Sequence, residues 1–150
     1  MPRIDLDAIE PSTGSGYPAP YNLAGHKRAA RRLSKLAGIS DFEVNHVTLP
    51  PGAWSAQRHW HEGEDEFLVM VAGDAVLVDD AGETALAAGD CAAFPKMDGN
   101  GHHLIAGDGG CTFVVMGVAE TSLCHYPDID LLYDAAADRY CHKDGTPYEG

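Results

Sequence analysis

Eight short apolar stretches between residues 42 and 119 limit what this chain can fold into more than any other feature. They run 42–49, 54–61, 66–72, 74–79, 83–87, 91–94, 102–106 and 111–119, punctuated by Gly, Pro and Asp. Segments this brief and this regularly broken predict strands rather than helices. Ala72-Gly73-Asp74 and Asp79-Asp80-Ala81-Gly82 carry the residues that turns require. About eight strands at this spacing predict an all-β sandwich or barrel.

The flanks differ. Residues 1–25 hold Pro11, Gly14, Gly16, Pro18 and Pro20 and predict an extended arm. Ala29, Leu33, Leu36 and Ala37 fall at helical spacing, with Gly38 as a stop, which predicts a short helix over 26–37. The tail carries Tyr126, Tyr133, Tyr140 and Tyr148, too aromatic for a free chain, and is expected to pack on the barrel. The expected organisation is one domain: an arm over 1–40, a barrel over 41–122 and an extension over 123–150.

Inside the strand-rich region, His59-Trp60-His61 and Glu66 stand close in sequence, with His102 far downstream. On a strand, residues two apart share a face, so His59 and His61 point the same way. A strand returning antiparallel after a turn at 62–65 would set Glu66 opposite them. His102 must be brought in by the fold. Three imidazoles and one carboxylate suit one divalent transition metal (Zn, Fe, Mn or Ni) better than Ca or Mg.

These residues resemble the cupin superfamily. Gly52, His59, His61, Glu66 and Gly73 follow its first motif, with one extra residue between Gly52 and His59. Gly89 and Pro95 follow the second. There Lys96-Met97 replaces x-Gly, Asp98-Gly99-Asn100-Gly101 intervenes, and Ala106 stands where the family often has Asn. His102 keeps the spacing to that last position, so the resemblance selects it as fourth ligand over His103. From Tyr17 to Tyr148 the chain is similar to small single-domain bacterial cupins, some of them called sugar-phosphate-isomerase-like. The resemblance implies a jelly-roll barrel, the cupin double-stranded β-helix, and a metal held by His59, His61, His102 and Glu66. It leaves the reaction open, because one fold hosts many chemistries.

Alternation then names a pocket. Gln57 shares the face of His59 and His61 and is expected to bond a substrate or a ligand's second nitrogen. Leu68 and Met70 share the face of Glu66 and would form an apolar floor. Glu64 and His46 are the candidate catalytic bases. His103, next to His102, should point away, to an interface or the surface.

The expected function is a metal-dependent enzyme acting on a polar small molecule, a sugar phosphate or a carboxylate, isomerase-like or oxygenase-like. The alternative is a non-catalytic metabolite-binding or sensing protein. A net charge of −13 over 150 residues argues against nucleic acid and anionic lipid as partners. Five of the ten basic residues nevertheless crowd into Lys27, Arg28, Arg31, Arg32 and Lys35, read either as a solvated basic face or as an anion site. The four cysteines form no C-x-x-C pair, and the start lacks a basic, apolar leader, so free thiols and a cytoplasmic location are expected. The Pro- and Tyr-rich arm suits strand addition across the two-fold of a homodimer.

Overall fold

The computed structural model describes residues 2–23, 25–119 and 121–149. Two antiparallel sheets carry the chain. The larger contains β1 (Ser12–Thr13), β2 (Ala29–Arg32), β3 (Glu43–Leu49), β5 (Glu66–Asp79), β6 (Gly82–Ala87), β7 (Cys91–Phe94) and β8 (His103–Gly117). The smaller contains β4 (Trp60–His61), β9 (Leu123–Tyr126), β10 (Leu131–Asp134) and β11 (Arg139–Cys141). The architecture is all-β, as the punctuated pattern predicts, and of the jelly-roll type that the resemblance implies.

Two long strands organise it. β5 and β8 pair along their length, and each bends midway: the register shifts between Met70 and Ala72 and again between Gly73 and Ala75. The breaks expected at 72–74 and 107–110 are therefore kinks within continuous strands, not turns between separate ones. Gly73 explains the first. Its φ is +70°, and a Cβ there would collide with the Gly110 carbonyl and approach the Cys111 Cα to 2.9 Å. Only a residue without a side chain lets the strands cross that closely.

The core follows strict alternation. Val47 and Leu49 of β3, Leu68 and Met70 of β5, Leu104 and Ala106 of β8, and Phe113 farther along β8 are all buried. Each large side chain so removed from water contributes about 1.5–3 kcal/mol. A second cluster joins Tyr126 and Leu131 to Tyr17, Tyr21, Tyr133, Tyr140 and Tyr148. It packs arm and tail together, with the Tyr17 ring edge-on to Tyr126 and to Tyr140 at 5.6 Å. The expected packing of the tail is thus realised as three strands that extend β4.

Two expectations need correction. The segment 26–37 is not one helix: Ala29–Arg32 pairs with β3, and only Leu33–Ala37 is helical, α1, closed by Gly38 at φ +71°. The open edge of β3 outweighs a helical propensity that is weak over one turn. Likewise, 54–61 is largely irregular. It runs beside β8 through single contacts, Ser55 N–H donating to the Leu104 carbonyl at 2.9 Å and His59 pairing with His102.

Candidate metal centre and its cavity

Three elements deliver the four expected ligands. His59 precedes β4, His61 lies in it, Glu66 opens β5 and His102 precedes β8. β4 pairs with β9, not β5, so Glu66 meets the histidines across the two sheets rather than from a returning hairpin. The Nε2 atoms of His61, His102 and His59 lie 3.0, 3.2 and 3.7 Å from one oxygen, Glu66 Oε1. Donors bound at about 2.1 Å and at right angles stand about 3.0 Å apart, and tetrahedral ones about 3.4 Å. The two shorter spacings fit donors around one small cation; His59, Glu66 and His102 form one group of possible metal ligands, and His61 shares Glu66 in a second group with Glu64.

The protonation pattern supports the same reading. His59 Nδ1 lies 2.7 Å from the Gln57 carbonyl, which can only accept. The ring proton sits on Nδ1, and the neutral ring offers a bare Nε2 toward the Glu66 oxygen. A cation lying between them would satisfy both lone pairs. His61 Nδ1 lies 3.5 Å from Glu64 Oε2. The His102 ring stacks on Phe94 at 3.6 Å and 5°, and its Nδ1 is buried without a partner.

Burial opposes charge on Glu66, but the imidazoles of His102, His59 and His61 around it override that and hold the carboxyl well below its ordinary range. Burial likewise pushes His61 down, yet Cys124 and Glu66 together take it up to about 11. His102 goes the other way, lowered by burial. Without metal the cluster therefore holds one carboxylate and a proton on His61.

A cavity of about 470 Å³ is lined by His59, Glu66, His102, Leu68 and Phe94. Met70 lies in the core outside it, 1% exposed. Gln57 does not share this lining: its amide donates to the Tyr21 carbonyl at 3.1 Å, and only its backbone serves His59. The arm sits closer than the sequence pattern implies and claims that side chain. His46 lies on β3 one residue from Asn45, which lines the cavity, so alternation turns it to the opposite face. Glu64 stands behind His61 rather than in the lining. His103 is not at the surface: it is 6% exposed, with Nδ1 2.9 Å from the Ala56 carbonyl and its ring edge-on to Trp54.

Two features escaped the sequence pattern. Cys124, 2% exposed, lies in register with His61 across β4 and β9, and its sulfur joins donors of His59 and His61 in a group compatible with a metal. No spacing signal marks it. The arm is the second: Lys27, Arg28 and Arg32 line the same cavity as the histidines.

Comparison with known proteins agrees with this architecture. A model of the cupin domain matches residues 45–117. A crystal structure from Silicibacter pomeroyi, described as a sugar phosphate isomerase from the cupin superfamily, is 42% identical with a TM-score of 0.91. The alignment covers 99% of this chain and 98% of that one. A candidate sugar phosphate isomerase from Acidithiobacillus ferrooxidans is 21% identical with a TM-score of 0.70, covering 84% and 83%. A polyketide cyclase from Streptomyces resistomycificus is 23% identical with a TM-score of 0.61, covering 78% of each chain. The last two share the fold alone. No curated protein sequence matches the chain. On the motif, the barrel and the full-length relative together, the chain belongs to the cupin superfamily.

Proposed function

We propose that the chain is a small metal-dependent enzyme acting on a polar small molecule, with His59, His61, His102 and Glu66 holding one divalent transition metal. One observation carries this reading: three Nε2 atoms gather around Glu66 Oε1 at 3.0–3.7 Å, and Glu66, His59 and His102 line a cavity of about 470 Å³. A metal held there would supply Lewis acidity toward a carbonyl or hydroxyl. The chain's own residues do the rest. Glu66 offsets the positive charge, the Gln57 carbonyl and Glu64 orient two imidazoles, and Leu68 and Phe94 give the cavity a dry wall. The description of the Silicibacter pomeroyi protein supports isomerisation of a sugar phosphate as the reaction.

A second reading, an oxygenase or a non-catalytic metabolite-binding protein, is favoured by the shortage of a free base. Glu66 is the one acidic residue among the described residues lining the cavity. His26 lines it too, but its Nδ1 accepts from Trp54 N–H at 2.8 Å, so the neutral ring keeps its proton on Nε2. Isomerisation moves a proton at carbon and needs a base; the other two functions do not.

Protein purified without chelator should carry near-stoichiometric transition metal and interconvert aldose and ketose phosphates. Oxygen uptake with small carboxylates is measured beside it. Ligand-induced melting shifts without turnover in any metal form would replace the enzyme with the sensor. A metal-free wild type would sink the metal centre and the metal-dependent enzyme with it.

We also propose a cytoplasmic homodimer. Four free thiols suit a reducing compartment. In this chain β1 and β2 dock on their own β3, so a second copy would meet exposed apolar side chains such as Phe67 and Val71 instead. A monomeric mass by light scattering overturns that assembly.

A further inference from the structure

We infer that the cavity is built for a ligand with an oxyanion at one end, and that Arg28 on the N-terminal arm is its anchor; this rests on the small-molecule reading above. The barrel supplies the histidines and Glu66, whereas the arm supplies Lys27, Arg28 and Arg32 to the same cavity. The described ion pairs are made by Arg58 and by histidines; none involves Lys27, Arg28 or Arg32. Arg28 Nε is buried and has no hydrogen-bond partner. A guanidinium nitrogen left buried and unpartnered is costly unless an acceptor completes it, and an oxyanion in the recess would do so.

The surrounding charges sharpen the argument. The chain carries −13, yet this cavity gathers three of its ten Lys and Arg side chains. The single carboxylate in the lining, Glu66, is committed to the histidines. Burial lowers the Arg28 pKa against an opposing effect of Tyr17, and the charge of Arg32 adds to the lowering. An oxyanion would relieve both effects. A planar guanidinium donates a fork of N–H groups that matches phosphate or carboxylate oxygens, and Lys27 and Arg32, both exposed, add field at the edge. The histidine cluster is left to meet the neutral, oxygen-bearing part of the ligand. The class is therefore a small hydroxylated or carbonyl compound bearing a phosphate or carboxylate.

Ribose 5-phosphate, ribonate and ribose separate phosphate, carboxylate and no charge on one carbon skeleton. Binding is read by calorimetry on metal-loaded protein, with inorganic phosphate as a fourth probe. At least one charged sugar should bind the wild type about tenfold or more tighter than ribose, the worth of one charge-assisted hydrogen-bonded pair. Arg28→Gln should collapse that preference to about twofold or less, and Arg28→Lys should restore part of it. Metal content, measured on the same samples, should not change. If Arg28→Gln fails to fold, the doubly substituted Lys27→Gln, Arg32→Gln protein, altered only at exposed positions, should show a weaker preference. Equal affinity for all three sugars, silence of all four probes, or a full preference retained in Arg28→Gln overturns the anchor. A metal-free wild type that still prefers charged sugars would instead sink the metal centre and leave the anchor standing.

Discussion

His59 and His102 are joined by reciprocal backbone hydrogen bonds, His59 N–H to the His102 carbonyl at 3.1 Å and His102 N–H to the His59 carbonyl at 2.9 Å. Residues paired this way across antiparallel chains present their side chains side by side, and the two rings stand 4.7 Å apart. The backbone, not side-chain packing alone, therefore sets half of the centre. His59→Ala should abolish stoichiometric metal while the barrel still folds, because the pairing uses main-chain groups. Metal analysis beside circular dichroism checks this; a fully loaded variant would remove His59 from the ligand set.

Glu64 behind His61 has a separable role. Its oxygen lies 3.5 Å from His61 Nδ1, the nitrogen not aimed at Glu66. Removing a carboxylate that orients a ligand imidazole costs about 10–100-fold in metal affinity. Glu64→Gln should weaken metal binding by that order in a chelator competition. Unchanged affinity with lost turnover would make Glu64 a base instead.

The pH dependence follows from the two strongest shifts. Glu66, held below 4.5 by the three histidines against its burial, contributes stability that is present above pH 4.5 and lost as pH falls through its lower folded value. His61, raised from 6.5 to about 11, contributes stability that is full below pH 6.5 and lost as pH rises toward 11. Metal must displace that proton. The gap in melting temperature between metal-loaded and metal-free protein should therefore widen as pH rises above 6.5. A gap constant between pH 6.5 and 9 in scanning calorimetry would contradict a shared proton and metal site.

Much of this arrangement is legible in residue order. The strand expected at 91–94 is found at Cys91–Phe94, bracketed by Gly89 and Pro95, and 42–49 is found at Glu43–Leu49. His59, His61, Glu66 and His102 come together as a motif with fixed spacing implies. What local pattern misses is decided by long-range pairing. Ala29–Arg32 becomes strand because β3 offers an edge. Cys124 reaches His61 only through the β4 to β9 register. Arg28 lines the cavity because the arm folds back over the barrel, and no period in the sequence encodes that return.

Arg58 ties three segments around the centre. It forks onto Asp128 with two bonds of 2.8 Å, reaches Asp80 at 2.5 Å, and donates to the Gly101 carbonyl at 3.0 Å, next to His102. Its side chain is 15% exposed, though both carboxylates are more than half exposed, which screens the charge part. Arg58→Ala should lower unfolding free energy by about 1–3 kcal/mol. Arg58→Lys should recover little, since an ammonium cannot fork. Urea denaturation measures both, and full recovery by Lys would reduce the interaction to simple charge.

Gly73 and Gly52 separate steric from conformational demand. Their φ values are nearly equal, +70° and +72°, so any L side chain is strained at either position. A Cβ on Gly52 meets nothing within 4 Å, whereas one on Gly73 runs into the backbone of Gly110 and Cys111. Strain alone costs about 1–2 kcal/mol, so Gly52→Ala should lose that much and still fold. Gly73→Ala must also push β5 and β8 apart where both kink. Since Glu66 opens β5 and His102 directly precedes β8, the separation reaches the metal centre. The variant should lose more than about 3 kcal/mol, beyond the usual range for one substitution, and its metal affinity should fall with it. Equal losses for the two variants would mean that the strands can part at Gly73 without cost, and that the close crossing does not hold the histidine cluster in place.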